Sequence, residues 1–552
     1  MPPNVAELAQ STVPGTTGST NNKDISKRVA DDLEHPERFW VDYLVEAASD
    51  HQARQLARGL CLEQTVELPG SIEAVQQVEP YTVGSVERVQ LVKSSRKGPT
   101  GTLDNALYRI TVGYPNDTAG DELTQFLNVV FGNTSLKKGV AVENVTLSPR
   151  LHDNTKLFPG PQFGIAGLRK LLRVPRAPLL CTALKPMGKS SQEFADMAYH
   201  FAKGGIDIIK DDHGLADQVW APFEERVRLC AAAVQRANQE TGRTSLYCPC
   251  LNAPVAQLLP RAFYSQQVGA GAVMVLPGIT GWDILRRLAV DPNFSLPILV
   301  HPALLGGWLE SEDESDGSKP DQTSLHHPHG MAHKFLFGIL PRLCGADAVI
   351  FPNAGGRFQF TPQECQQVAD GCRRPMGRFK DVLPSPAGGM KLHRVDQMRQ
   401  TFGDDTLFLI GGALLEQGPD LELDAQAFAH SAGRDRPYAP PRSSQEDDGT
   451  TPSTKAVGES AELVPSVAEV ERIANCVRRR VLEYTLRVSA LFKLLRLAKY
   501  LDYALSALTP DTRFSCLIAA RSVAEQRRLP FPGLFCGRNT SNSLPSCSES
   551  WT

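Results

Sequence analysis

The 552-residue chain contains no uninterrupted apolar stretch of the about 18 residues that would suggest a membrane span. Its N-terminus lacks the basic segment followed by an apolar one that marks a secretory leader. It also lacks charge of one sign in excess. With 58 Lys and Arg against 61 Asp and Glu, the formal net charge is −3, and no global field favours nucleic acid. Paired cysteine motifs are absent as well. The 12 cysteines are scattered, Cys248 and Cys250 are too close for the usual zinc spacing, and Cys365 and Cys372 have no second pair. These absences lead to the expectation of a cytoplasmic protein with free thiols, no transmembrane segment and no nucleic-acid partner. In that setting the sequons at Asn116, Asn133 and Asn144 carry no glycan.

What is present is globular. A composition of 41% hydrophobic and 22% charged residues can bury a large core, and the length suggests two or three domains. Residues 1–35 are rich in Ser, Thr, Pro, Gly and Asn in their first two dozen positions and are expected to be disordered. Residues 36–158 mix strands with two helices and predict an α+β domain. A strand near Phe39 runs into a helix with Ala53, Leu56 and Leu60 on one face. Strands follow at Val83–Val92 and Asn105–Val112, and a helix at Asp121–Phe131. After a Pro- and Gly-rich link, residues 165–430 change rhythm. Short apolar strands alternate with amphipathic helices: Leu179–Ala183, Ile206–Ile209, Ser245–Leu251, Ala272–Leu276, Ile298–His301, Ala348–Phe351, a weaker one at Val382–Ser385, and Leu407–Ile410. Eight such units predict a (β/α)8 TIM barrel. Residues 431–465 read as a linker, 466–510 as a basic helical segment with Ser466 as its N-cap, and 511–552 as a disordered tail. The basic segment suits packing against protein; a membrane-surface or calmodulin-type role is the sharper alternative.

The stretch Gly204–Gln218, GGIDIIKDDHGLADQ, stands out. An apolar strand ends in Lys210, Asp211, Asp212 and His213. Charge at a strand end is either solvated or bound to something, because buried charge costs several kcal/mol unless paired. At the C-terminal mouth of a barrel strand, a metal site is the functional reading.

The motifs LLCTALKPMG and GGIDIIKDDHG, followed in order by LNAP at 251–254, GAGAVMVLPGITG at 269–281, HPALLGG at 301–307, HGMAHKFLFGILPRLCGAD at 329–347, PSPAGGMKLHRV at 384–395 and FGDDTLFLIGGALL at 402–415, resemble the ribulose-bisphosphate carboxylase (RuBisCO) large-subunit superfamily. The resemblance spans residues 36–430 or so. It implies a ferredoxin-like α+β domain before the barrel. It implies that Lys210 is carbamylated by CO2 and binds Mg2+, or another divalent metal, with Asp212. His213 stands where the carboxylases have a glutamate, as a ligand or as a substrate contact. Lys185 is implied as the proton-handling lysine and His301 as the fifth-strand histidine. Glu63 and Asn133 correspond to residues lent by a neighbouring subunit, implying a homodimer with shared sites. Gly388, Gly389, Gly411 and Gly412 correspond to a backbone phosphate site, with Arg357 in the sixth loop.

The departures matter equally. Met187, Pro302, Ile350 and Ala387 replace polar residues of the carboxylases, and Gln64-Thr65-Val66 replaces their Trp-containing loop. One phosphate site is dismantled and one kept, which implies a small monophosphorylated substrate and a RuBisCO-like (form IV) protein that does not fix carbon. The expected chemistry is enolate formation on a keto-sugar or keto-acid phosphate. The DDHG variant most resembles members acting on 3-oxo-isoapionate 4-phosphate by decarboxylation or transcarboxylation–hydrolysis. Next come the 2,3-diketo-5-methylthiopentyl-phosphate enolases of methionine salvage and a methylthio-sugar isomerase. A non-catalytic scaffold is the reading from a different class.

Overall fold

The computed structural model describes residues 37–94, 105–310, 328–356, 358 and 360–434. The expectations for residues 1–35, the basic segment 466–510, the tail and Arg357 lie outside the described residues, as does the 431–465 linker beyond its first four positions.

The N-terminal half is built on an antiparallel sheet. Strand β1 (Arg38–Ala47) pairs with β3 (Ala106–Pro115) on one side and with β4 (Val140–Thr146) on the other, and β2 (Ser85–Lys93) pairs with β3. Alternation sets the faces: Phe39, Val41, Tyr43, Val45 and Ala47 are all buried, with half-buried residues between them. Helices Asp50–Glu63 and Leu123–Phe131 supply apolar cover, and Phe126 packs between Phe39 and Phe158 with ring centroids 5.0 Å apart on each side. A helix at Glu73–Thr82 and strand β4 escape the sequence reading. The helix carries an internal proline, Pro80, and buries only Val75, so its apolar period is faint.

The barrel strands are β5 (Leu179–Leu184), β6 (Ile208–Asp211), β7 (Leu246–Cys248), β8 (Val273–Val275) and β9 (Ile298–Val300). The ring continues with β11 (Ala348–Pro352), β12 (Leu383–Ala387) and β13 (Leu407–Leu409). Each pairs in parallel with the next, β13 returns to β5, and a bridge between Cys250 and Met274 closes the ring between β7 and β8. This is the eight-stranded barrel the alternation predicts. Strand β10 (His329–Met331) is the departure from a simple βα repeat. It leaves the ring and adds to the N-terminal sheet, parallel to β4, with Gly330 opposite Ala141. The sequence reading treated 329–347 as a motif without a strand. Three residues are too short to show a period, and their partner lies far away in the chain.

Inside the barrel, Leu179, Cys181, Ile208, Leu246, Cys248, Met274, Leu299, Ile350, Leu383 and Leu407 form a closed apolar cluster. Each buried aliphatic side chain contributes about 1.5–3 kcal/mol. The helix Gly164–Leu172 plugs the N-terminal end, with Ile165, Leu168 and Leu172 joining that cluster. Asp347 fixes the plug. Its carboxylate accepts from Phe163 N (2.7 Å), Gly164 N (2.8 Å) and Ile298 N (3.0 Å). Every described cysteine is a buried free thiol, and among the described residues no helix is long and apolar enough to cross a membrane.

Burial pushes the Asp347 carboxyl up to about 6, against the three N–H bonds that favour its charge. A value raised on folding gives stability that is present in acid and lost as pH rises through that value. The unfolding free energy of wild type relative to Asp347→Asn should therefore fall by about 2 kcal/mol between pH 4 and pH 7.5. Urea titrations of both proteins at the two pH values measure this, and a pH-independent difference rejects the assignment.

Candidate active site

Strand β6 extends through the charged residues instead of ending before them, as the sequence reading had it. Lys210 and Asp211 are strand residues, and the two-residue period sends them to opposite faces. Lys210 points into the barrel with Ile208. It is 2% exposed, and its Nζ donates to the Asp211 carbonyl oxygen at 2.8 Å. Asp211 points outward beneath the helix Phe223–Thr241. There its carboxylate meets Arg226 (Nε and Nη2 both 3.3 Å), the Tyr247 hydroxyl (2.7 Å) and the Cys250 N–H (3.2 Å). Both side chains of the Asp211–Arg226 pair are fully buried. Arg226 also donates to the carbonyls of Ala216 and Ala221, so it holds the loop that follows His213. That loop returns Asp212 and His213 to the barrel mouth.

At the mouth, the Asp212 carboxylate pairs with Lys185 Nζ at 2.9 Å and lies 3.4 Å from His213 Nδ1. Burial pushes the Asp212 carboxyl up. The bonds from His213 and Lys185, with the charge on Lys210, outweigh it and hold the group well below the usual carboxylate range. The His213 ring stacks on His301, centroids 4.5 Å apart and 13° from parallel. His301 Nδ1 accepts from the Ala303 N–H at 3.2 Å, which leaves its ring proton on Nε2. Burial first, then the Lys210 charge, holds the His301 imidazole well below its ordinary value, so it is neutral at pH 7.

These five side chains line one cavity of about 930 Å³, within the range of small-molecule sites. Gly388, Gly389, Gly411 and Gly412 line it too. The structure thus brings together nine of the twelve sequence candidates. Glu63 and Asn133 form a separate pair on the N-terminal half. Asn133 Nδ2 lies 3.5 Å from Glu63 Oε1, Lys137 Nζ is 3.0 Å from Glu63 Oε2, and neither Glu63 nor Asn133 lines the cavity. Arg357, the twelfth, is not among the described residues.

Sequence reasoning missed several wall residues: Phe337, Phe360, Leu309, Lys391 and Glu416. Lys391 lies two positions past the glycine pair in the motif PSPAGGMKLHRV, so a signal was present. Phe337 sits on a short π-helical segment, Lys334–Ile339, and looked like core. Gln64 was also missed as a positioning group. It is buried, donates to the carbonyls of Asn128 and Val129, and accepts from Thr134, thereby fixing Glu63 beside Asn133.

A profile for the ribulose bisphosphate carboxylase large chain, catalytic domain, matches residues 164–315. The chain is 36% identical over 399 residues to the 5-methylthioribulose-1-phosphate isomerase of Rhodospirillum rubrum, covering 72% of this chain and 96% of that one. The chain belongs to the RuBisCO large-chain family, as a RuBisCO-like protein. Its fold agrees: a RuBisCO-like protein from Rhodopseudomonas palustris superposes with a TM-score of 0.59 at 32% identity, over 72% of this chain and 98% of that one. A 2,3-diketo-5-methylthiopentyl-1-phosphate enolase from Bacillus pumilus is 28% identical, over 66% of this chain and 84% of its own.

Among the described residues, no three His, Cys, Asp or Glu side chains are gathered as a metal cage. The RuBisCO-like donor set fits a divalent cation once Lys210 is counted. Asp212 would offer an anionic oxygen and His213 a nitrogen, and Lys210 would add a second anionic oxygen, of the kind Mg2+ prefers, were its amine carbamylated.

Replacing Arg226 by Met leaves Asp211 buried without its countercharge. We expect a loss of about 3–5 kcal/mol in unfolding free energy, read by denaturant titration. A loss under 1 kcal/mol shows that Tyr247 and Cys250 suffice.

Proposed function

We propose that this RuBisCO-like protein is a divalent-metal-dependent enolising enzyme acting on a monophosphorylated keto-sugar with an apolar end. The carrying observation is the cavity wall. Pro302, Ile350 and Ala387, which replace polar residues of the carboxylases, lie in it together with Leu309, Phe337 and Phe360. A second phosphate or a hydroxyl-rich chain placed against such a surface loses its hydrogen bonds to water without replacement. A thioether or alkyl tail loses nothing. This favours a methylthio-ketose phosphate, as in the names of the relatives above, over the 3-oxo-isoapionate phosphate first expected from DDHG.

The residues divide the work. The glycine turns at 388–389 and 411–412 hold the phosphate through backbone N–H groups. Lys185, oriented by Asp212, moves the proton at the carbon next to the ketone. Neutral His301 donates from Nε2 to the oxygen on which charge develops. The stacked His213 keeps the His301 ring from turning. Asp212, His213 and a carbamylated Lys210 would hold a divalent cation, which would supply positive charge at the substrate oxygen where negative charge develops. The apolar wall excludes water from the carbanionic carbon.

The site is completed by a second copy in this reading. Exposed apolar residues crowd the loops after β6 to β9 at the mouth: Val219, Trp220, Val255, Ile279, Leu304 and Trp308. Leu136, 84% exposed, stands next to Glu63 and Asn133 on the N-terminal half. A homodimer covers both surfaces and carries the Glu63–Asn133 pair to the partner's barrel.

Solvent deuterium exchange at the α-carbon of 5-methylthioribulose 1-phosphate, with Mg2+ and CO2 present, tests the chemistry. Wild type should exchange, Lys185→Met should lose at least about 100-fold, and Lys210→Ala should lose both exchange and Mn2+ binding. Wild-type exchange and metal binding in Lys210→Ala remove Lys210 from the site, and no exchange by wild type sinks the enzyme reading and leaves the scaffold. Mixing inactive Glu63→Gln with inactive Lys210→Ala should restore activity, because one site of the mixed dimer is intact. No recovery after subunit exchange refutes the shared site.

A further inference from the structure

We infer that Lys391 and Arg394 form the cationic half of the phosphate site, with His393 beside them, on the outer side of the Gly388–Gly389 turn; this rests on the phosphorylated-substrate reading above. Past the end of β12 the chain makes two consecutive left-handed steps, φ 83° at Gly388 and 67° at Gly389. The loop after β11 packs on this turn backbone to backbone. A Cβ on Gly389 would lie 2.6 Å from Gly356 Cα, and one on Gly356 would lie 2.7 Å from the Gly388 oxygen. Side chains are therefore excluded from the contact and bare peptide is left there. Met390 is buried, 2% exposed, and its sulfur lies 3.5 Å from Asn353 Nδ2. This fixes the start of Lys391. The Arg394 guanidinium clamps the two loops, donating to the Ala354 oxygen (3.0 Å) and the Gly389 oxygen (3.4 Å).

These loops border a second, open depression of about 560 Å³ on the surface, lined by Gly355, Gly356, Gly389, Lys391, His393 and Arg394. Among the described residues no carboxylate lines it. Gly389 and Lys391 line the main cavity as well, so the two spaces meet at the glycine turn. The other two lysines of the main cavity are engaged, Lys185 with Asp212 and Lys210 with the Asp211 oxygen. Among the described residues no ion pair or hydrogen bond engages the Lys391 ammonium. A phosphate monoester is a dianion at neutral pH. Glycine N–H dipoles orient it, and a flexible lysine adjacent to them neutralises it as a point charge. Lys391 fills that role, the clamped Arg394 adds a positive field that draws the phosphate end of the substrate to the turn, and the His393 ring offers a further hydrogen-bonding group at its rim.

Calorimetric titration of the full-length protein with inorganic phosphate tests this. We expect Lys391→Met to weaken binding about tenfold or more and Lys391→Arg to restore most of it. His393→Ala should weaken it about two- to threefold. Lys391 is exposed, so the variants should match wild type in circular dichroism. With the phosphorylated substrate, Lys391→Met should raise KM more than it lowers kcat, and inorganic phosphate should compete with substrate. Wild-type phosphate affinity in Lys391→Met overturns the inference and leaves the proposed function intact. Phosphate bound through Lys391 without competing with substrate assigns the hollow to free phosphate and also overturns it. No phosphate binding by wild type removes the phosphorylated-substrate reading itself.

Discussion

The site depends on one contrast along β6: a lysine facing into the barrel next to an aspartate facing out. Lys210 is almost fully buried at the mouth, and Asp211 is buried on the other side of the same strand. Neither position is tolerable for a charge unless something answers it. Arg226 answers Asp211, with Tyr247 and the Cys250 N–H completing the carboxylate's bonds. The same guanidinium grips the loop beyond His213 through Ala216 and Ala221. The acidic cluster is therefore three residues with three different tasks. Asp211 holds the scaffold, Asp212 faces the chemistry, and His213 stacks on His301.

Charge is confined to two parts of the cavity. Lys185, Asp212, His213 and His301 gather where β5, β6 and β9 end, and the glycine turns follow β12 and β13. Lys391 and Glu416 add charge past β12 and β13, and the wall between is largely apolar, with Pro302, Leu309, Phe337, Ile350 and Phe360. A water-poor wall next to a dense charge cluster strengthens each electrostatic contact in the site. Under the proposed reading, Pro302, Ile350 and Ala387 are the positions that tell against a second phosphate, because none of them offers it a side-chain hydrogen bond. Fold membership alone decides little about substrate; these replacements carry more weight, because they act at the wall the substrate touches.

The two halves of the described chain are tied together by β10, a barrel-region segment that pairs with β4. This places Glu63 and Asn133 on a rigid sheet-and-helix platform instead of a loose arm. Gln64 sets their spacing from within the core. Neither residue lines the cavity of its own barrel.

Sequence alone determined the eight barrel strands, because each is a short apolar run followed by a helix with its own period. It also determined the charge burst at 210–213 and the glycine pairs, since those residue types are improbable in a packed strand. It could not show that Asp211 belongs to a buried pair with Arg226. That depends on which face of β6 the residue occupies and on the helix 15 residues later packing against it. Nor could it find β10, whose pairing partner lies nearly 200 residues earlier, or the role of Gln64, whose partners Asn128, Val129 and Thr134 lie more than 60 residues along the chain. Lys391 was legible as a residue and not as a site. Only the close packing of Gly356 on Gly389 makes the bare-backbone hollow beside it, and such packing exists only in the folded chain. The burst Lys210–His213 therefore marked the place, and tertiary structure assigned each residue in it a face, a partner and a task.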